Sequence, residues 1–293
     1  MSGYFTDREY GERSRTIEEI NARLWGGLYS LIETRIGDGS FGFRFPEQCP
    51  DGREPCGCDS HAFGLVLGAE VPSMEWPLSY SEAPDTPVIL DLLEFCARAV
   101  GLPVEGDFHS YFGHHHISWD RDAGLASFVS DVNLLFARNG VAYELTPEGE
   151  ARRLLPTPLA EALGRTVFAT GDGETDQLLE TARQRIARPR IEDRRDALEK
   201  VWDAFERLKT LETGSNKRVQ AERLLDEAAA PDTKFRQVLG EEAAALTKIG
   251  NTFRIRHSET SQENLGSPEQ VDYLFGRCFA FIRMVLKATD RGG

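Results

Sequence analysis

The sequence predicts an α+β N-terminal domain over residues 1–172, followed by an all-α bundle of four or five helices over residues 173–293. Three observations carry this reading. The length of 293 residues favours two domains at roughly 100–200 residues each. After Gly171-Asp-Gly173 the apolar pattern changes, from short segments broken by turns to sustained spacing of three and four residues. The charge changes with it, because residues 1–180 carry 13 basic and 30 acidic side chains whereas residues 181–293 carry 21 and 18.

In the N-terminal half, Thr16 to Thr34 has helical spacing, and the stretch through Pro87 is rich in Gly and Pro with short candidate strands such as Phe63 to Leu67. Thr86-Pro87 opens a helix through Val100, with Pro in the first turn where its missing N–H is not needed and Gly101 as the stop. A second helix runs from about Asp120 to Arg138 and stops at Asn139-Gly140. Val141–Leu145 and Ala151–Leu155 form a small hairpin around Pro147 and Gly149. In the C-terminal half, helices are expected near Thr175–Ile186, Ile191–Leu211, Lys217–Ala228 and Lys234–His257. The last begins at Ser267-Pro-Glu-Gln270, a capping box with Pro in the first turn.

Composition narrows the function classes. No run approaches the ~18 apolar residues of a membrane span, and Met1 to Tyr10 lacks the basic start and apolar stretch of a secretory signal. Five cysteines in such a chain are too few for a disulfide framework, so a cytoplasmic protein with reduced thiols is expected. A net charge of −14 opposes nucleic acid binding by the chain as a whole. The basic run from Arg183 to Arg223 offers a local exception, although its interleaved Glu192, Asp193, Asp196, Glu199 and Asp203 favour a solvated, salt-bridged helix face. Neither a phosphate-cradling Gly loop nor a Gly-x-Ser-x-Gly elbow is present.

Three groups of residues have the chemistry of a site. Arg254 and His257 are three apart at the expected end of the long helix and so share a face, whereas Arg256 and Asn251 come closer only if the helix frays near Ser258. The alternative is a protonated His257 stabilised by the helix dipole, with Arg254 and Arg256 paired to Glu259 or Glu263. Imidazole moves protons near neutral pH and guanidinium binds a nonbridging phosphate oxygen, a workable set for phosphodiester cleavage by a 2′-hydroxyl. Cys49, Cys56, Cys58 and His61 offer three thiolates and an imidazole in a turn-rich segment, enough for one structural tetrahedral zinc, although the spacing is not that of a paired Cys-x2-Cys knuckle and exposed, unligated cysteines are the alternative. The run His114-His115-His116 is the third; a strand would place only alternate members together, where His109 or Asp120 could join them on Zn²⁺ in a metal-dependent hydrolase. The flanking Tyr111, Phe112 and Trp119 favour instead a packed loop whose histidines bond backbone.

The segment Phe253-Arg-Ile-Arg-His-Ser-Glu259 ahead of Val271-Asp-Tyr-Leu-Phe-Gly-Arg277 resembles the C-terminal domain of AbiJ-like abortive-infection proteins, of the HEPN superfamily. Residues Phe108–Asp120 and Asp131–Leu145 are similar to AbiJ-type N-terminal domains. The resemblance implies a HEPN-type bundle that dimerises and acts as a metal-independent endoribonuclease in antiphage defence, preceded by a sensor or regulatory domain. It implies catalytic roles for Arg254 and His257, helped by Arg256 and Asn251, with no cofactor needed for catalysis. The partners implied are RNA, whether tRNA or phage or host mRNA, a second copy of the chain, and a phage trigger or associated defence protein. HEPN nucleases separate Arg from His by four to six residues. Here two residues intervene and Asn251 stands where an Arg is expected, so an inactive HEPN module that docks a phage or effector protein is the alternative.

Overall fold

The computed structural model describes residues 4–52, 54–212, 216–253, 255, 265 and 267–292. It is mostly helical, with three small antiparallel sheets of two strands each among the described residues. The chain divides into two compact units, Met1–Leu154 and Leu155–Gly293. That boundary precedes the one expected near residue 172 because the intervening stretch packs on the helical core: Leu163 is buried there with Leu159 and Ala162 against it, and Arg183 Nη2 donates to Thr166 O at 2.6 Å. No helix among the described residues is long and apolar enough to cross a membrane.

The N-terminal unit contains helices α1 (Phe5–Tyr10), α2 (Ala22–Gly37), α3 (Ser60–Glu70), α4 (Thr86–Ala99) and α5 (Arg121–Asn139). Its strands are β1 (Pro46–Gln48), β2 (Pro55–Cys58), β3 (Leu102–His109), β4 (His114–Asp120), β5 (Tyr143–Leu145) and β6 (Ala151–Arg153), paired β1–β2, β3–β4 and β5–β6. Local chemistry sets the helix ends. Asn21, Asp59 and Asp120 accept the Leu24, Ala62 and Ala123 amides as N-caps, satisfying donors that a first turn leaves unpaired. Gly140 closes α5 in the left-handed region at φ 69°, where a side chain would be strained. The stretch Phe63–Leu67, expected as a strand, lies inside α3, where Phe63, Gly64 and Leu67 are buried at helical spacing. Phe63 is also the hub of an aromatic core, its ring 5.1 Å from that of Phe41 and 5.2 Å from that of Phe95.

A second contact system holds the two hairpins. Trp119 on β4 donates its indole N–H to Gly39 O at 2.8 Å, and its ring lies against Gly42 in the short 3₁₀ turn Ser40–Phe43. A Cβ at Gly42 would fall 2.3 Å from that ring and 2.4 Å from Gly57 O, so glycine is what lets β2, β4 and this turn meet. The β1–β2 hairpin is thereby set beside the β3–β4 ribbon.

The C-terminal unit contains α6 (Thr157–Arg165), α7 (Gly173–Ile186), α8 (Ile191–Leu208), α9 (Lys217–Ala229), α10 (Thr233–Thr252) and α11 (Pro268–Ala288). Five of these, α7 to α11, lie within residues 173–293 as expected, and α6 is added by the earlier boundary. Its core joins Trp202 and Phe205 of α8 to Phe275, Phe279 and Ile282 of α11. The capping box at Ser267 and Gln270 is formed as expected. Asp172 caps α7, where hydrogen bonds from the Thr175 hydroxyl and from Arg207 hold its carboxyl at about 2. Part of the basic run is paired with acids: Arg185 with Asp196, Arg188 with Asp193, Arg207 with Asp172 and Lys209 with Glu206. Pairing of this kind lowers the uncompensated charge that this part of the run presents to a phosphate backbone.

Candidate metal centre

Four donor atoms converge in the N-terminal unit. Cys49, His109, His114 and His116 each place one ligand atom within 4.8 Å of those of the other three. The sulfur of Cys49 lies 3.3 Å from His109 Nδ1 and 3.3 Å from His114 Nε2. Zinc lengths of ~2.0–2.1 Å to nitrogen and ~2.3 Å to sulfur put donors of a tetrahedral shell about 3.3–3.6 Å apart, so these spacings suit donors of one ion.

Each ligand position follows from its element. His109 ends β3 and His114 begins β4, and the two are directly paired across the ribbon. His116 is two residues beyond His114 and therefore on the same face. His115 faces the other way, its Nδ1 3.0 Å from Gly106 O and its ring 5.0 Å from that of Phe108. Cys49 comes from the β1–β2 turn, 60 residues from His109 in sequence. The turn is closed by Cys49 N–H to Glu54 O at 3.0 Å and Gly52 N–H to Cys49 O at 2.7 Å. Phe112 covers the group, its ring stacked 5.9 Å from that of His114 at an interplanar angle of 7°.

The surroundings are those of a built site. Cys49 is buried, and burial raises its thiol, opposed by a hydrogen bond to the sulfur from the Asp51 amide. A coordinated cation reverses that balance, because a ligating thiol is deprotonated outright. On His116, Nδ1 lies 3.2 Å from Glu54 Oε2, while Nε2 is buried and finds no hydrogen-bond partner among the described residues. His116 belongs to the donor group, and a buried ring nitrogen without a partner has a lone pair that a metal ion would satisfy.

The zinc set expected from Cys49, Cys56, Cys58 and His61 is not brought together. His61 lies exposed in the first turn of α3, and Cys56 and Cys58 are half-buried on β2 outside the donor group. Burial pushes the Cys58 thiol up to about 12 and raises that of Cys56, as it does that of Cys49. Of the expected four ligands only Cys49 is retained, and its partners are the histidines that the flanking aromatics assign to a packed loop bonded to backbone. Only His115 behaves that way.

In the C-terminal unit, α10 ends at Thr252, with Phe253 extended at its C-cap, so the helix expected to reach His257 stops short. Asn251 is exposed in its last turn. Arg254, Arg256 and His257 lie outside the described residues. Beside this segment, Phe253, Ile255, Leu265 and Leu198 line a cavity of about 350 Å³ with Arg195, Glu192, Asp196 and Glu199. No protein-family model, curated protein or solved structure matches this chain.

Proposed function

We propose that the N-terminal unit is a zinc-binding module, with one Zn²⁺ held by Cys49, His109, His114 and His116 as a structural centre that ties the β1–β2 turn to the β3–β4 ribbon. The convergence of four donors from two hairpins carries this reading. Four protein ligands fill a tetrahedral shell, the arrangement of structural zinc, and the thiolate and imidazole donors suit zinc better than calcium or magnesium. That donor count favours a structural centre over the metal-dependent hydrolase in which His109 to His116 would bind a catalytic ion.

For the C-terminal unit we propose the activity implied by the AbiJ-like and HEPN resemblance: metal-independent RNA cleavage in antiphage defence, by a homodimer in the cytoplasm. His257 would act as general base or acid while Arg254 and Arg256 hold the scissile phosphate, giving a 2′,3′-cyclic phosphate and a 5′-hydroxyl. Support comes from the helical make-up of the unit's described residues and from the motif's position after α10, ahead of α11. One observation favours the inactive docking module instead: in the cavity beside the motif Glu192, Asp196 and Glu199 outnumber Arg195, where a phosphate chain would need cations. The test is incubation of the purified full chain with cellular RNA without added Mg²⁺ but with its zinc retained, since a strong chelator would attack the N-terminal centre. Cleavage leaving cyclic phosphates, lost in His257→Ala and Arg254→Ala, supports the nuclease. RNA that stays intact with wild-type protein favours the docking module.

A further inference from the structure

We propose that Glu54 is a positioning residue of this centre, an outer-sphere carboxylate that fixes the tautomer of His116 and so sets metal affinity; the inference rests on the zinc reading above. Glu54 is tied to two of the four ligands. Its backbone carbonyl accepts the Cys49 amide at 3.0 Å, and its side-chain Oε2 stands 3.2 Å from His116 Nδ1.

A neutral imidazole carries one proton, and the nitrogen that binds a metal must be the other one. A carboxylate at Nδ1 draws the proton there and leaves the lone pair on Nε2, the buried nitrogen without a partner. Carboxylate–histidine–metal relays of this kind also hold the ring against rotation and raise its basicity toward the ion. Glu54 is 63% exposed and His116 only 14%, so the pair stands at the edge of the site with its carboxylate in water. Its contribution to folding as an ion pair is therefore small, and its effect falls on the metal.

Glu105 supplies the comparison. Its Oε2 lies 4.0 Å from His115 Nε2, a similar carboxylate–imidazole approach on the face of the ribbon turned away from the donors. Removing it leaves the ligands untouched.

The test is zinc affinity of the full-length protein, measured by competition with a chromophoric chelator, together with the Co²⁺ absorption spectrum and far-ultraviolet circular dichroism. Glu54→Ala is expected to weaken zinc binding about 10–100-fold, with the tetrahedral cobalt bands and the dichroism unchanged. Glu54→Gln, whose amide oxygen still accepts from Nδ1–H, is expected to fall between Glu54→Ala and wild type, and Glu105→Ala to match wild type. Zinc affinity unchanged in Glu54→Ala would overturn the proposal and leave the metal centre standing. Wild-type protein that takes up neither Zn²⁺ nor Co²⁺ would remove the centre and this proposal together, and the two failures are distinct results.

Discussion

Stripping the metal with a chelator is expected to lower the melting temperature of the N-terminal unit by roughly 8–16 °C. A ligand held at a free concentration a thousand times its dissociation constant stabilises the folded state by about 4 kcal/mol, and each kcal/mol is worth about 2–4 °C in a domain of ~150–250 residues. The effect should be concentrated in the hairpins, because they have little core of their own. Every residue of β1 is exposed, as are most of β3, whereas the buried aromatic side chains sit among α2, α3, α4 and α5. Without a cation the turn and the ribbon bring a thiol and three imidazoles together with little to offset their desolvation. Hydrogen exchange should therefore accelerate most at amides in 46–58 and 102–120, and least in α4. Melting and exchange that ignore the chelator would mean that the donors do not share an ion.

Replacing Arg194 with Ala is expected to cost the C-terminal unit about 3–5 kcal/mol, the penalty of breaking a buried ion pair from one side. Arg194 is 1% exposed on α8, and its guanidinium grips Asp272 of α11 through two bonds, Nε to Oδ1 at 3.1 Å and Nη2 to Oδ2 at 2.7 Å. The same Nη2 donates to Pro268 O at 3.2 Å, in the first turn of α11. The truncation leaves the Asp272 carboxylate, mostly shielded from water, without its fork-shaped partner. Lysine should recover only part of the loss, since an ammonium cannot match two oxygens in one plane. Replacing both partners, as in Arg194→Met with Asp272→Leu, should come close to wild type, because it removes the charge instead of stranding it. Urea unfolding of the four proteins checks the series; a single Ala variant within 1 kcal/mol of wild type would show that the pair is not what fastens α8 to the start of α11.

How much of this was legible in the sequence depended on how local each signal is. Helices α4, α5 and α11 were readable because their ends are written in adjacent residues: Pro87 in a first turn, Gly140 at a left-handed stop, and the Ser267–Gln270 box. The segment around Phe63 misled because a short apolar run has the same composition in a buried helix as in a strand, and the cap at Asp59 that decides for α3 lies before the run. Strand β3 was missed because most of it is exposed, which removes the alternation that marks a half-buried strand.

The candidate site was half legible for the same reason. Strand periodicity puts His114 and His116 on one face, but leaves His109 and Asp120 equally open as partners, and the flanking aromatics favour a packed loop instead. What fixes His109 opposite His114 is the register of the ribbon, and what brings Cys49 to them is the meeting of Gly42, Gly57 and Trp119. Neither is written in local spacing. The nearby Cys56, Cys58 and His61 competed for Cys49 in sequence, whereas the folded chain gives it partners 60 and 65 residues away.

The most direct test of this account is the metal content of purified protein and of single-site variants, determined as zinc per chain by elemental analysis. The account predicts one zinc per chain in the wild type, lost in Cys49→Ser and His116→Ala and retained in Cys56→Ser, Cys58→Ser and His61→Ala. Zinc that follows Cys56, Cys58 and His61, or a folded protein that carries no metal and takes none up, would contradict it.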